Sequence, residues 1–178
     1  MTQLNSKAGL VVVAVMAGLV SSSVQAEKKK VTWTTKWGKP EVAMMSPGVF
    51  GKDHILVQWE RRDKVSSPDP EWDGTEAVYY EQADEVAGSA AVTGYAVLIF
   101  KNGDKAFYRL DAAYTGTYKE SGAWEGTAEG LYRFVGGTGK YKHIKGSAFG
   151  RCKGTDTFVA ETQAQDTDSC THEGEIQY

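Results

Sequence analysis

The stretch Gly126–Gly154, GTAEGLYRFVGGTGKYKHIKGSAFGRCKG, holds two glycine-laced runs of alternating polarity joined by a Gly136-Gly137-Thr138-Gly139 corner. In the first run Trp124, Gly126, Ala128, Gly130, Tyr132 and Phe134 alternate with Glu125, Thr127, Glu129, Leu131 and Arg133. In the second, Ile144, Gly146, Ala148, Gly150 and Cys152 alternate with Lys145, Ser147, Phe149, Arg151 and Lys153. Side chains point to opposite faces along a strand, so each run predicts a strand with charges towards water and small and aromatic residues inwards. Glycine and alanine lining two successive strands either leave room for a ligand or mark the bends of a barrel wall.

Upstream, Asn102-Gly103 lies between two strand-like runs and predicts a hairpin with a two-residue type I′ turn, which needs two residues at positive φ. That turn pairs Ile99 with Ala106, Val97 with Tyr108 and Tyr95 with Leu110. The predicted inner face is Tyr95, Val97, Ile99, Ala106, Tyr108 and Leu110. Leu98, Phe100 and Phe107 then fall on the outer face, too apolar for bare surface.

Further strands are expected at Val31–Trp37, at Ile55–Trp59 ending in Glu60-Arg61-Arg62-Asp63, and at Glu76–Tyr80. Phe158–Thr162 and Glu173–Tyr178 supply the last two. Ser66-Ser67-Pro68-Asp69-Pro70 reads as a loop, since each proline fixes its own φ and restricts its predecessor. Short alternating runs rich in Val, Thr, Tyr, Trp and Phe are the all-β signature. About eight antiparallel strands of this kind close into a single barrel, either filled or just wide enough for one small ligand.

The first 26 residues carry Lys7, an apolar run over Ala8–Val20, and small residues at Val24 and Ala26 flanking Gln25, the layout of a cleaved signal peptide. The run is shorter than the roughly 18–20 residues of a bilayer span, so no permanent membrane span is expected, a retained anchor being the alternative. The barrel domain is then residues 27–178, and the expected location is periplasmic or secreted. Lys7 is the only charge in the leader, so its removal takes the net charge from −3 to −4. An acidic domain without a basic stripe lacks the phosphate-neutralising charge of a nucleic-acid binder. Both cysteines, Cys152 and Cys170, lie in the exported part, where an oxidising compartment favours a disulfide between them over two buried thiols.

Motifs that carry chemistry are absent or fail on spacing. Val135–Lys140 resembles a phosphate loop, but Phe134 stands where the first glycine belongs and Tyr141 follows the lysine in place of Ser or Thr. His54, His143 and His172 are far apart and show no zinc spacing, so surface positions are expected for each. Asp166-Thr167-Asp168 lacks the glycine and glutamate of a calcium loop. No metal or cofactor is expected. Glu60 and Asp111 are the acids nearest the strand interiors, and both have outward parity. The aromatics Trp59, Tyr95, Tyr108, Trp124 and Tyr132 have inward parity, and either fill the core or line a pocket for a small apolar molecule.

The run FVGGTGKYKHIKGSAFG (Phe134–Gly150), following the strand with Gly126 and Gly130, resembles the allene oxide cyclase-like and dirigent-like barrels of the calycin type. It is also similar to exported bacterial proteins with a Trp-Thr strand after the leader and the same corner. The resemblance implies an eight-stranded barrel, often trimeric, with a central apolar cavity. A trimer contact through Leu98, Phe100 and Phe107 would fit it. The families' cavity residues lie outside the matching run, so no catalytic residue carries over. Three functions follow as expectations: a non-enzymatic barrel binding a small apolar ligand or a protein partner, a cyclase-like or dirigent-like enzyme without cofactor, or a structural envelope protein with a filled core. A buried carboxylate inside the barrel would favour the enzyme, because such catalysis holds a reactive substrate in shape and needs no motif.

Overall fold

The computed structural model describes residues 28–36, 41–45, 54–120, 123–159, 162–163 and 169–178. The expected leader, Trp37 and the Asp166–Asp168 turn lie outside them.

Among the described residues ten strands follow in chain order: β1 (Lys29–Lys36), β2 (Glu41–Met45), β3 (His54–Ser66), β4 (Glu76–Val86), β5 (Ser89–Ile99), β6 (Lys105–Tyr118), β7 (Ala123–Gly137), β8 (Lys145–Val159), β9 (Thr162–Gln163) and β10 (Ser169–Gln177). The expected Glu76–Tyr80 strand runs on to Val86, and the last strand starts at Ser169 rather than Glu173. Eight strands form a closed antiparallel ring in the order β1-β10-β8-β7-β6-β5-β4-β3, and β3 returns to β1 through Thr34–Ser66, Thr35–Val65 and Lys36–Lys64. Closure removes the open sheet edges that would otherwise invite aggregation. β2 adds to β3, and β9 to β8. The all-β barrel expected from the alternating runs is the fold. Among the described residues no helix is long and apolar enough to cross a membrane.

The parities expected for β1, β3, β7 and β8 hold: Val31, Trp33, Val57, Trp124, Tyr132, Phe134, Ala148 and Cys152 are buried. β5 is inverted. Its loop to β6 has three residues, not two: the Phe100 N–H donates to the Asp104 carbonyl at 2.9 Å, and the Gly103 N–H to the Phe100 carbonyl at 2.9 Å. Gly103 alone takes a positive φ, 86°, while Asn102 does not, so the two-residue mirror turn never forms. Asn102 serves as a side-chain cap instead, its Oδ1 accepting the Asp104 N–H at 3.0 Å. Ile99 therefore pairs with Lys105, Val97 with Phe107 and Tyr95 with Arg109. A one-residue slip turns every side chain of a strand to the other face. Leu98 and Phe100 are in the core, and Tyr95 is 58% exposed outside the barrel. The expected outward patch of Leu98, Phe100 and Phe107 is corrected to Phe107 alone, so a trimer contact through the other two has no surface to use.

The Gly-Gly-Thr-Gly corner docks onto that same loop. Thr138 donates its N–H to the Lys105 carbonyl (2.8 Å) and accepts the Lys105 N–H on Oγ1 (2.9 Å). Gly139, at φ 52°, lies against Asp104 so closely that a Cβ there would come within 1.8 Å of the carboxylate, whose Oδ2 accepts the Lys140 N–H at 3.0 Å. A one-turn 3-10 helix, Gly139–Tyr141, follows and seats Tyr141 in the core. Cys152 and Cys170 face each other across β8 and β10, Cα to Cα 4.0 Å, and form the expected disulfide on the inner face.

Candidate binding site in the barrel interior

The end of the barrel carrying the β3–β4 loop is filled with rings. Asp69 turns the loop: its carbonyl accepts the Trp72 N–H (3.0 Å) and its Oδ1 the Glu71 N–H (3.0 Å). This brings Trp72 into the lumen, where it is fully buried. Its ring centroid lies 5.2 Å from Trp33, 5.6 Å from Phe100 and 6.0 Å from Phe134. Phe100 stacks on Tyr141 at 3.9 Å, and Trp33 on His172 at 4.7 Å. Glu71 latches this floor. Its carboxylate accepts from Lys140 Nζ, the Tyr141 hydroxyl and, at 2.9 Å, the Tyr178 hydroxyl, with Lys29 Nζ at 3.4 Å. Partial burial would raise the Glu71 pKa, but these donors outweigh it and hold it down at about 2.

Above the floor sits a buried polar layer. Arg61 lies between two carboxylates, Nη2 to Glu81 at 3.5 Å and Nε to Asp63 at 3.5 Å, with its guanidinium 4.4 Å over the Tyr79 ring. Burial works against the charge on Arg61, yet Glu81 and Asp63 more than compensate and raise its pKa. His172 is driven down to about 3, by burial and then by the Arg61 charge, so it is a neutral ring here. Burial pushes the Tyr79 hydroxyl up to about 12, and it raises those of Tyr108 and Tyr132 as well. Tyr108 and Tyr132 pack edge to face at 5.5 Å, and Tyr132 meets His172 at 4.7 Å.

Towards the β4–β5 turn the wall becomes small and less completely buried. The inward residues there include Val57, Ala83, Ala90, Val92, Ala112 and Ala128, and Trp59, Ala112, Tyr114 and Ala128 are only half-buried. Glu81 accepts from the Trp59 indole as well as from Arg61. Glu85, 4% exposed, accepts the Tyr114 hydroxyl and, at 2.6 Å, the Tyr118 hydroxyl. Trp124 lies edge to face with Tyr114 at 5.5 Å and donates its indole N–H to the Gly88 carbonyl at 2.8 Å.

The five aromatics expected at a site thus separate. Trp59 and Trp124 line the half-buried end. Tyr108 and Tyr132 belong to the packed middle layer. Tyr95 is corrected to the outer surface by the β5 slip. Three interior glycines are seats for rings: a Cβ on Gly116 or Gly126 would lie 2.3–2.5 Å from the Trp124 ring, and one on Gly150 would meet Tyr132 at 2.5 Å. The expected surface position of His172 is also corrected, since it is 1% exposed.

Sequence reasoning missed Arg61, Asp63, Glu81, Glu85 and Trp72. The signal was present in the parity: Val57, Trp59, Arg61, Asp63 and Val65 share one face, as do Ala77, Tyr79, Glu81, Ala83 and Glu85. Reading the charged run at 60–63 as the end of a strand hid the first set. Glu60 and Asp111 do point outwards, to Arg62 (3.2 Å) and to Arg109 and Arg133 (2.9 and 2.7 Å).

A concavity of about 650 Å³ lies on the outer wall of β5–β8 against Thr93, Asp111, Leu131 and Phe149. No group of three or more His, Cys, Asp or Glu able to hold a metal occurs among the described residues. Neither a protein-family model nor a curated protein matches this chain.

Proposed function

We propose that the protein is an exported, non-enzymatic barrel that binds one small molecule in the half of its lumen nearest the β4–β5 turn. The observation that carries this reading is the contrast between the two ends. Side chains of a closed ring that point inwards are normally sealed, as Trp33, Tyr108 and Leu110 are, whereas Trp59, Ala112, Tyr114 and Ala128 are half-buried. The leader-like first 26 residues and the disulfide support a periplasmic or secreted location. The allene oxide cyclase-like and dirigent-like resemblance supports a ligand inside the barrel.

A cyclase-like activity is the second reading, favoured by the carboxylates of Asp63, Glu81 and Glu85 inside the ring. It ranks lower because each carboxylate is already engaged by Arg61, Trp59, Tyr114 or Tyr118, which describes a fixed polar lining.

Titration of the mature chain with 1-anilinonaphthalene-8-sulfonate, read by fluorescence, tests the binding reading. Saturable enhancement is expected, and Ala128→Phe, which fills the lumen, should abolish it while far-UV circular dichroism stays unchanged. Equal enhancement in the folded Ala128→Phe variant would place the dye on the outer wall and remove the support.

A further inference from the structure

We propose that the lumen takes an organic cation, an ammonium head on an apolar body, with Glu85 as its counter-charge; this rests on the binding reading above. Among the described residues the interior holds three carboxylates, Asp63, Glu81 and Glu85, against one guanidinium, Arg61, and these four carry a net charge of −2 when all are ionised. Asp63 and Glu81 flank Arg61. Glu85 does not reach it. Its partners are the neutral hydroxyls of Tyr114 and Tyr118, and among the described residues no Lys, Arg or His forms a salt bridge with it.

A carboxylate buried to this degree is normally paired with a cation, because desolvating it alone is costly. Two phenol donors satisfy part of its acceptor capacity, which runs to about four lone-pair sites on two oxygens. Rings stand beside the carboxylate: Tyr114 and Trp124 lie edge to face at 5.5 Å, and the Tyr118 hydroxyl is 2.6 Å from it. Aromatic rings beside an uncompensated carboxylate are the chemistry that recognises alkylammonium groups, through the ring quadrupole and the opposite charge together. The neighbouring inward residues Ala83, Ala90 and Val92 are small and apolar, a lining suited to an aliphatic body. An anionic ligand would meet like charge in a desolvated site.

Isothermal titration of the mature protein with n-octylammonium, octan-1-ol and octanoate, at one ionic strength, tests this. The three probes share a body and differ in the charge of the head. Octylammonium should bind at least about tenfold more tightly than octanol, with octanoate weakest, as expected for a charge-assisted hydrogen bond. Glu85→Gln should remove the preference and leave octanol binding unchanged. Tyr114→Phe keeps the carboxylate and should keep the preference, which covers the case of a Glu85→Gln chain that does not fold. Equal or tighter binding of octanol or octanoate, with all three lost in Ala128→Phe, would overturn the cation assignment and leave the lumen reading intact. An ammonium preference that persists in folded Glu85→Gln would overturn it too. Binding of none of the probes, or binding untouched by Ala128→Phe, would overturn the lumen reading and this inference with it.

Discussion

Trp72 is central to the closed end of the barrel: it comes from a loop, reaches zero exposure and packs against Trp33, Phe100 and Phe134. Trp72→Ala should therefore cost about 3–5 kcal/mol in urea unfolding, the range for emptying a large buried aromatic site. Trp124 is the opposite case, a ring fitted over glycines. Gly126→Val would drive a β-branched side chain into a ring 2.4 Å from the new Cβ. A loss of about 1–3 kcal/mol is expected from such overpacking, and an unchanged midpoint would show that the ring has another seat.

Glu71 gives the residue-scale pH prediction. Its folded pKa is depressed from 4.5 to about 2. A depressed carboxylate stabilises the fold fully above its unfolded pKa and loses that contribution as pH falls through the folded one. The window is therefore pH 4.5 down to about 2. The Glu71→Gln variant should be less stable at neutral pH and show a flatter acid limb through that window. Parallel acid limbs would mean the latch carries no linkage. His172, neutral down to about pH 3, should contribute no titration between pH 5 and 8 by NMR.

At the scale of elements, the β5–β6 hairpin shows where the sequence was legible and where it was not. The alternation of Ala106, Tyr108 and Leu110 named the inner face of β6 correctly. The inner face of the partner strand depends on the turn, and Asn102-Gly103 admits both a two-residue and a three-residue loop. Only the docking of Asp104 and Lys105 onto the Thr138-Gly139 corner selects the second, and that contact spans more than thirty residues. Leu98→Ala should cost about 2–5 kcal/mol as a core truncation, and Tyr95→Lys should stay within about 0.5 kcal/mol as a surface change. The reverse order would restore the two-residue register. For the site, the aromatic parities were legible in Trp59 and Trp124, while Arg61, Asp63, Glu81 and Glu85 were hidden because a charged run resembles a strand end. What distinguishes a buried charge from a solvated one is its partner, and Arg61 finds Glu81 twenty residues away. The Cys152–Cys170 staple closes a separation of 18 residues between neighbouring strands. The double Cys→Ala variant should lose about 3 kcal/mol by the chain-entropy account, measured against the oxidised protein in urea.

For the whole molecule, the lumen divides into two halves. A floor of stacked aromatics and an Arg61-centred polar layer seal one, and the small-walled end beyond them, where Trp59, Ala112, Tyr114 and Ala128 are half-buried, is the one proposed to take a guest. The closure of β3 onto β1 makes this division possible, because every inward side chain then faces the same enclosed space. The stability of the filled half needs no ligand, so the apo-protein should fold and remain monodisperse. Native mass spectrometry of the protein expressed from its full-length sequence tests the central claim most directly. The account predicts one small-molecule mass per barrel, absent under denaturing conditions and absent from Ala128→Phe. Identical native and denatured masses for the parent protein, together with no uptake of an added alkylammonium, would contradict it.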